Sequence, residues 1–413
     1  MPTNSGPVVV VGAGQAGGWV ALTVRQHQPE RQVVLIGDEA HPPYERPPLS
    51  KDLLAGKVEP ESTYLKPLGF YADNGISLRL QTRVDAIERE EKRLWLADGG
   101  RLDYGTLVLA TGMRPRPLTV PGGDHPRVRA LRAMADLEAI RTHLVPGSHI
   151  VAIGAGFIGL EVAAVAARAG CKVTVIEAAP RALGRMVVAE VADAIVQRHQ
   201  RQGVRFAFGA VVTCITDEGT RPRVQLADGR GFEADLVLCG IGGIANDDLA
   251  RVAGLACDSG ILVDETGQTS DPAIFAAGDV CQQWHTVLGR RIRLESWQNA
   301  QNQAIAVGRH IAQVERAAAD VPWFWTDQYD DNFQIIGAPE RWDRIVWRGA
   351  PGDDRFTAIY MQGDRVVAGN ALNNARDIRP LKQMILEGCP VAAEALADTS
   401  VPLHKLQRLQ AAQ

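Results

Sequence analysis

The segment Gly12-Ala-Gly14-Gln15-Ala16-Gly17 returns 142 positions later as Gly154-Ala-Gly156-Phe157-Ile158-Gly159. Each copy follows a short apolar run, Val8–Val11 or Ile150–Ile153, and opens an Ala/Val-rich stretch of helical character. That setting restricts what the chain can become. The first glycine serves a tight strand-to-helix turn, the second lets the backbone approach a pyrophosphate, and the third lets helix and strand pack closely. The helix start then offers unpaired N–H groups and a positive dipole end to the phosphates. One copy alone is weak evidence. Two copies in this setting, each followed by an acidic residue, predict two dinucleotide sites and electron transfer between them.

The duplication reaches beyond the glycines. Leu94-Trp-Leu-Ala-Asp98-Gly99 and Leu107-Val-Leu-Ala110-Thr111-Gly112 match Val224-Gln-Leu-Ala-Asp228-Gly229 and Leu236-Val-Leu-Cys-Gly240-Ile241-Gly242. Asp-Gly between alternating runs signals a hairpin, and the apolar run ending in glycine signals a buried strand. Both halves therefore read as a βαβ unit, an antiparallel meander and a returning strand. The predicted class is α/β, with two Rossmann-like dinucleotide-binding domains of glutathione-reductase type. The first is split, residues 1–111 and 243–321, around a second at 112–242. After Val321-Pro-Trp the texture changes to short strands (Arg344–Arg348, Phe356–Gln362) and a helix near Ile378–Leu386, a small α+β domain over 322–413. Helices are also expected at Leu131–Leu144 and Asn299–Val314.

A chain of 413 residues that is 46% hydrophobic can bury a sizeable core. Its net charge of −4 argues against nucleic acid as the main partner. The longest apolar-looking run, Val8–Leu22, is interrupted by glycines and a glutamine, so no membrane span is expected. The six cysteines are scattered without CxxC or metal-ligand spacing, which predicts buried thiols in a reducing cytoplasm and no metal. The polar N-terminus has no basic leader character. His27, His41, His125, His199 and His285 carry no partner motif and read as surface residues.

Acids follow the second strand of each βαβ unit. Asp38 or Glu39 follows Val33–Ile36, and Glu177 follows Val173–Ile176. An acid here accepts from a ribose hydroxyl or, more blandly, caps a turn. Glu177 would repel a 2′-phosphate and favours NADH over NADPH, although Arg181 and Arg185 nearby could reverse that choice. Ala110-Thr111-Gly112 and Gly278-Asp279 end strands that converge on the first site, as Gly240-Ile241-Gly242 does on the second. Asp279 holds a ribityl hydroxyl in that reading, or is a helix N-cap.

Further motifs carry a family resemblance over residues 6–405. They are Pro43-Tyr-Glu-Arg46-Pro-Pro-Leu-Ser-Lys51, Leu107-Val-Leu-Ala-Thr-Gly112, Gly159-Leu-Glu161, Leu294-Glu-Ser296-Trp297-Gln-Asn299, Pro322-Trp-Phe-Trp325-Thr-Asp-Gln328 and Asn373-Asn-Ala-Arg-Asp377. With these the chain resembles the FAD-dependent, NADH-using ferredoxin reductases of bacterial aromatic-ring dioxygenases and haem monooxygenases. The resemblance implies that Lys51 lies beside the flavin and pairs with Glu161. A lysine there stabilises anionic reduced flavin, and a carboxylate keeps it charged. It also implies flavin contacts from Arg46, Val84, Arg132 (to the pyrophosphate), Ser296, Trp297 and Trp325. Surface placement for Lys51, a first-turn helix acid for Glu161 and core packing for the tryptophans are the plainer readings. Arg309, Arg341, Arg344, Arg376, Arg379 and Lys382 could receive an acidic ferredoxin.

No redox cysteine pair occurs near the first fingerprint, which excludes disulfide-reductase chemistry, and no cysteine cluster could hold an iron–sulfur centre. The predicted sequence of events is hydride from NADH to FAD, then single electrons to a 2Fe–2S ferredoxin that feeds an oxygenase. Asn373-Asn374-Ala-Arg-Asp leans towards Rieske-type acceptors and is slightly preferred; Trp323-Phe-Trp-Thr-Asp-Gln-Tyr leans towards haem monooxygenase systems. Alternatives are a rubredoxin reductase, an NADH oxidase-like flavoenzyme, or a non-enzymatic NADH sensor like the apoptosis-inducing factor group. A monomer or homodimer is expected.

Overall fold

The structure is a computed structural model and describes residues 6–184, 186–217, 221–315 and 320–410. The chain forms two compact units. One comprises Met1–Arg46, Pro60–Arg114 and Ile244–Pro322; the other comprises Pro47–Glu59, Pro115–Gly243 and Trp323–Gln413.

In the first unit the run Val8–Val11 is buried along its whole length, as a strand covered on both faces must be. It pairs in parallel with Val33–Ile36 and Thr106–Leu109. The sheet continues to Ile76–Arg79 on one side and Ile274–Ala276 on the other. Helices Gln15–His27 and Trp297–Ile311 cover one face, through Val20, Val24, Ala304 and Val307. They approach closely because a Cβ at Gly308 would meet Thr23 Cβ at 2.7 Å. The antiparallel strands Val84–Glu88, Arg93–Leu96 and Arg101–Asp103 back the other face, turning at Asp98-Gly99.

The second unit repeats the plan. Its parallel sheet runs Arg205–Phe208, Lys172–Glu177, His149–Ile153, Leu236–Cys239, Val128–Arg129, with the meander Val212–Asp217, Pro222–Leu226 and Gly231–Glu233. Helix Phe157–Arg168 follows the fingerprint strand. The same unit holds a five-stranded antiparallel sheet, Trp323–Gln328, Asp331–Ile336, Arg365–Leu372, Phe356–Gln362, Arg344–Arg348. Helix Ile378–Glu387 lies on it, with Leu381 against Gly369.

Three expectations need correction. His199 is fully buried, because its helix Ala189–Arg201 turns that residue towards Gln328 and Tyr329. Only Cys239 and Cys281 are buried thiols, whereas Cys171, Cys214, Cys257 and Cys389 are half-buried; all six are free. The strand ending at Ala276 does not lead straight into a helix. A hairpin, Cys281–His285 with Arg290–Ile292, intervenes, so Asp279 is not a helix N-cap. Among the described residues no helix is long and apolar enough to cross a membrane, and no group of three or more His, Cys, Asp and Glu forms a metal cluster.

Candidate functional site

The two fingerprint loops are built alike. Gly12 and Gly154 take φ of 107° and 101°, left-handed values that L side chains rarely adopt. A Cβ at Gly12 would meet Ala110 O at 2.2 Å, and one at Gly154 would meet Gly240 O at 2.4 Å. The third glycines are as confined: Gly17 faces Gly12 O at 1.8 Å and Gly159 faces Gly154 O at 2.3 Å. These four answer to the protein's own backbone. The middle glycines do not. Gly14 has φ −91° and Gly156 φ −82°, values open to any residue. Their added Cβ atoms would meet nothing nearer than Arg46 Nη2 at 3.9 Å and Gly240 O at 4.0 Å. Neither conformation nor packing demands glycine there, so the bare backbone serves a group from outside the chain. A pyrophosphate over a helix start with no side-chain cap fits that requirement.

Around the first loop the chain gathers charge. Glu39 is half-buried and accepts from Arg46 Nη2 (2.6 Å) and from the Tyr44 hydroxyl (2.7 Å), while Asp38 is exposed. Burial works against the Arg46 charge, but Tyr44, Glu39 and Asp279 outweigh it and push its pKa up. Gly278 abuts the helix start, its added Cβ only 2.8 Å from Ala16 Cβ, and its N–H donates to Gln303 (2.8 Å). Ser296 caps helix Trp297–Ile311 by accepting from the Asn299 N–H. Burial raises the Glu45 pKa, partly offset by a hydrogen bond with Trp297. With its amide turned to face both indoles, Gln15 accepts from Trp297 Nε1 at 3.0 Å and Trp19 Nε1 at 3.3 Å. Thr111 and Gly112 are tied to Asn246 through side chain and backbone. Val84 packs on the core beside its strand partner Leu96 and brings no polar side chain.

Around the second loop the acid is held by backbone. Glu177 Oε2 accepts from Ala155 N (2.7 Å) within the fingerprint, and Oε1 accepts from Ala179 N (2.8 Å). The turn-capping reading is thus realised, and it also locks the carboxylate against the loop. Phe157 packs on Phe324 with ring centroids 4.6 Å apart, and Ile158 is 45% exposed. Gly240 borders the loop, Ile241 lies against the core, and Gly242 accepts from the Arg116 N–H. Arg132 lies just before helix Met134–Arg141, its backbone N–H donating to Asp136. Arg185 lies outside the described residues.

The same unit brings Lys51 to Glu161. Pro47 and Pro48 start a 3₁₀ turn, Pro47–Ser50, that buries Leu49 and Ser50 and delivers Lys51 beyond it. Lys51 Nζ lies 2.8 Å from Glu161 Oε1, and the Glu161 side chain is only 2% exposed. Ser50 Oγ donates to Glu161 Oε2 and Thr326 Oγ1 donates to Oε1 at 2.6 Å. Removing one partner of so enclosed a pair costs about 3–5 kcal/mol.

Sequence reasoning missed Ser50, Thr326, Gln328 and His199. The signal available was alternation along Trp323–Gln328: Phe324, Thr326 and Gln328 share one face, and Trp323 and Trp325 stack at 5.0 Å on the other. Trp325 also donates to Asp327 (3.1 Å). The Asn373-Asn374 stretch is structural. Asn373 bridges Asn332 and Asp331, and buried Asn374 donates to Thr357 and Asp377.

Comparison with known proteins agrees with this geometry. Residues 6–304 match the family model of pyridine nucleotide-disulphide oxidoreductases, and residues 323–407 match that of the reductase C-terminal domain. Putidaredoxin reductase of Pseudomonas putida is 42% identical over 407 residues, 97% of this chain and 96% of that protein. The ferredoxin–NAD(+) reductase component of the anthranilate 1,2-dioxygenase system of Burkholderia cepacia is 40% identical, covering 97% and 99%. The crystal structure of the covalent putidaredoxin reductase–putidaredoxin complex matches with a TM-score of 0.96 at 39% identity, covering 99% of each chain. The chain therefore belongs to the pyridine nucleotide-disulphide oxidoreductase family, among the ferredoxin reductases of oxygenase systems.

Proposed function

We propose that this protein is an NADH-dependent FAD ferredoxin reductase that passes electrons singly to a 2Fe–2S ferredoxin feeding an aromatic-ring dioxygenase or a haem monooxygenase. The observation that carries it is the pair of middle glycines, Gly14 and Gly156, whose bare backbones answer to no protein atom. Bound FAD supplies the conversion of an electron pair into single-electron steps.

The residues divide the work. Gly12–Gly17, Ala110–Gly112, Gly278-Asp279 and the Arg46–Glu39 pair would hold FAD at the first loop, the Arg46 guanidinium lying beside the bare Gly14 backbone and Arg132 being assigned to the pyrophosphate. Ser296 and Trp297 contribute from the start of their helix, and Val84, Arg132 and Trp325 are assigned to the same cofactor. Gly154–Gly159, Glu177 and Gly240–Gly242 bind NADH, with the locked Glu177 carboxylate accepting from a ribose hydroxyl and opposing a 2′-phosphate. Lys51 and Glu161 would serve the hydride step: the ammonium would offer positive charge to a bound flavin, and the buried Glu161 carboxylate 2.8 Å away holds it in place. Exposed Arg341, Arg344, Arg376 and Arg379 suit an acidic ferredoxin. Six free thiols suit a reducing compartment, and we place the protein in the cytoplasm.

Anaerobic stopped-flow spectroscopy tests the assignment. NADH should bleach the flavin rapidly, and added 2Fe–2S ferredoxin should restore its colour in one-electron steps. Fast bleaching with no reoxidation by Rieske-type or haem monooxygenase-type ferredoxins would sink the reductase reading. A long-lived NADH–flavin charge-transfer band would favour the sensor.

A further inference from the structure

Glu161 is the end point of a buried chain of hydrogen bonds that runs far beyond Lys51. Thr326 Oγ1 touches Glu161 Oε1 at 2.6 Å and Gln328 Nε2 at 3.1 Å. Gln328 Oε1 meets His199 Nε2 at 2.8 Å, and His199 Nδ1 meets the Tyr329 hydroxyl at 2.9 Å. Thr326 is 1% exposed, Gln328 6% and His199 0%.

The direction of every bond follows from one end. An ionised carboxylate only accepts, so Thr326 must give Glu161 its single proton. Thr326 can then only accept from its other neighbour, which orients the Gln328 amide with Nε2 towards it. Gln328 Oε1 consequently faces His199 and needs a donor, which selects the Nε2–H tautomer of a neutral ring. Nδ1 is left as an acceptor, filled by Tyr329. Turning the amide over would leave the Thr326 hydroxyl between two acceptors with one proton to give. Burial, working against a weaker opposing pull from the Gln328 bond, lowers the His199 pKa to about 4 and keeps the ring neutral. It also raises the Tyr329 hydroxyl, so that group stays a donor.

We propose that Thr326, Gln328 and His199 are positioning residues for the hydride step: a one-way chain of donors, all pointing towards Glu161, that holds this carboxylate in one rotamer beside Lys51. The proposal rests on the assignment of Lys51 and Glu161 to that step. Tyr329 anchors the far end from a turn with φ 59°, and Ser50 secures the second carboxylate oxygen. A neutral, tautomer-locked histidine here is a spacer of defined polarity and transfers no proton.

Two measurements on the FAD-loaded protein decide this. ¹⁵N spectra of the histidine rings, with His199→Gln identifying the signal, should show His199 neutral and protonated at Nε2. In Thr326→Val the Gln328 amide loses its reason to hold one orientation, and the ring should become a mixture of tautomers. The same variant should slow NADH-driven flavin reduction by about 10–100-fold, the loss expected for a hydrogen bond to a charged group. Thr326→Ser, which keeps the hydroxyl, should stay within about threefold. A native His199 ring protonated at Nδ1, or a Thr326→Val protein that reduces at the native rate, overturns the proposal. Glu161→Gln separates this failure from a deeper one. If that variant reduces at the native rate, the assignment of Lys51 and Glu161 falls, while the His199 spectrum still reports the order of the bonds.

Discussion

The loops at Gly12 and Gly154 share a motif and a backbone, but they are furnished differently. At the first, a guanidinium, a carboxylate and a phenol interlock (Arg46, Glu39, Tyr44), and the start of a second long helix adds Ser296 and Trp297 in the same unit. At the second, the acid is held by two backbone N–H groups, and Ile158 stands largely open at the helix start. A site that gathers a half-buried, paired cation and side chains from a second helix suits a resident cofactor; one shaped by backbone, with an open rim, suits a visitor that must leave after each turnover. The motif specifies a phosphate cradle, and the surroundings specify how long its occupant stays.

The largest effect should come from separating the glycines by role. Gly17→Ala drives a Cβ into Gly12 O and should leave little folded protein, since backbone cannot yield as a flexible side chain does. Gly14→Ala should fold with the native circular dichroism spectrum and yet purify with under about a tenth of the FAD. Full FAD occupancy in Gly14→Ala would break the first half of the comparison.

Next in size is the second acid. Glu177→Ala frees Ala155 N and Ala179 N and should lower the preference for NADH over NADPH by about 10–100-fold in kcat/KM while FAD content stays native. Loss of FAD from this variant would mean that the two loops are not separately occupied.

Acid should then distinguish the unit that holds His199. Its folded-state pKa of about 4 lies below the ordinary 6.5, so the unfolded chain binds the extra proton first. Stability from this group is complete above pH 6.5 and is lost as pH falls towards 4, a change of roughly 3 kcal/mol. Melting curves of His199→Gln should be flatter over that window than those of the native protein; equal slopes would remove His199 from the account. The smallest effect belongs to the matching hairpins. Arg230 pairs with Asp228 beyond the turn in the second unit, and both side chains are exposed. Arg230→Ala should leave the melting temperature where it was.

The two βαβ units were legible because their signals are local: strand, glycine turn and helix occupy neighbouring positions, and the period of the apolar residues reports burial directly. The same holds for strands such as Arg344–Arg348 and Phe356–Gln362. Asp38 and Glu39 stood undecided because either can follow a strand end; only the third dimension brings Arg46 and Tyr44 to Glu39. Lys51 and Glu161 were found through resemblance. Ser50 and Thr326 were not found, for they reach Glu161 across 111 and 165 residues of chain and no local pattern marks a buried hydroxyl as a donor to a distant carboxylate. The burial of His199 is illegible for the same reason: on a helix of mixed polarity a histidine looks solvated until its partners are known.

The strand Trp323–Gln328 carries unrelated tasks on alternate residues, stacked indoles on one side and the donors to Glu161 on the other. A side-chain period of two makes such a strand intolerant of insertion or deletion. One added residue would turn the indoles inward and the threonine out, erasing both tasks at once. Its edge can drift in composition over evolutionary time, but its length is frozen, and change in this region should accumulate by substitution alone.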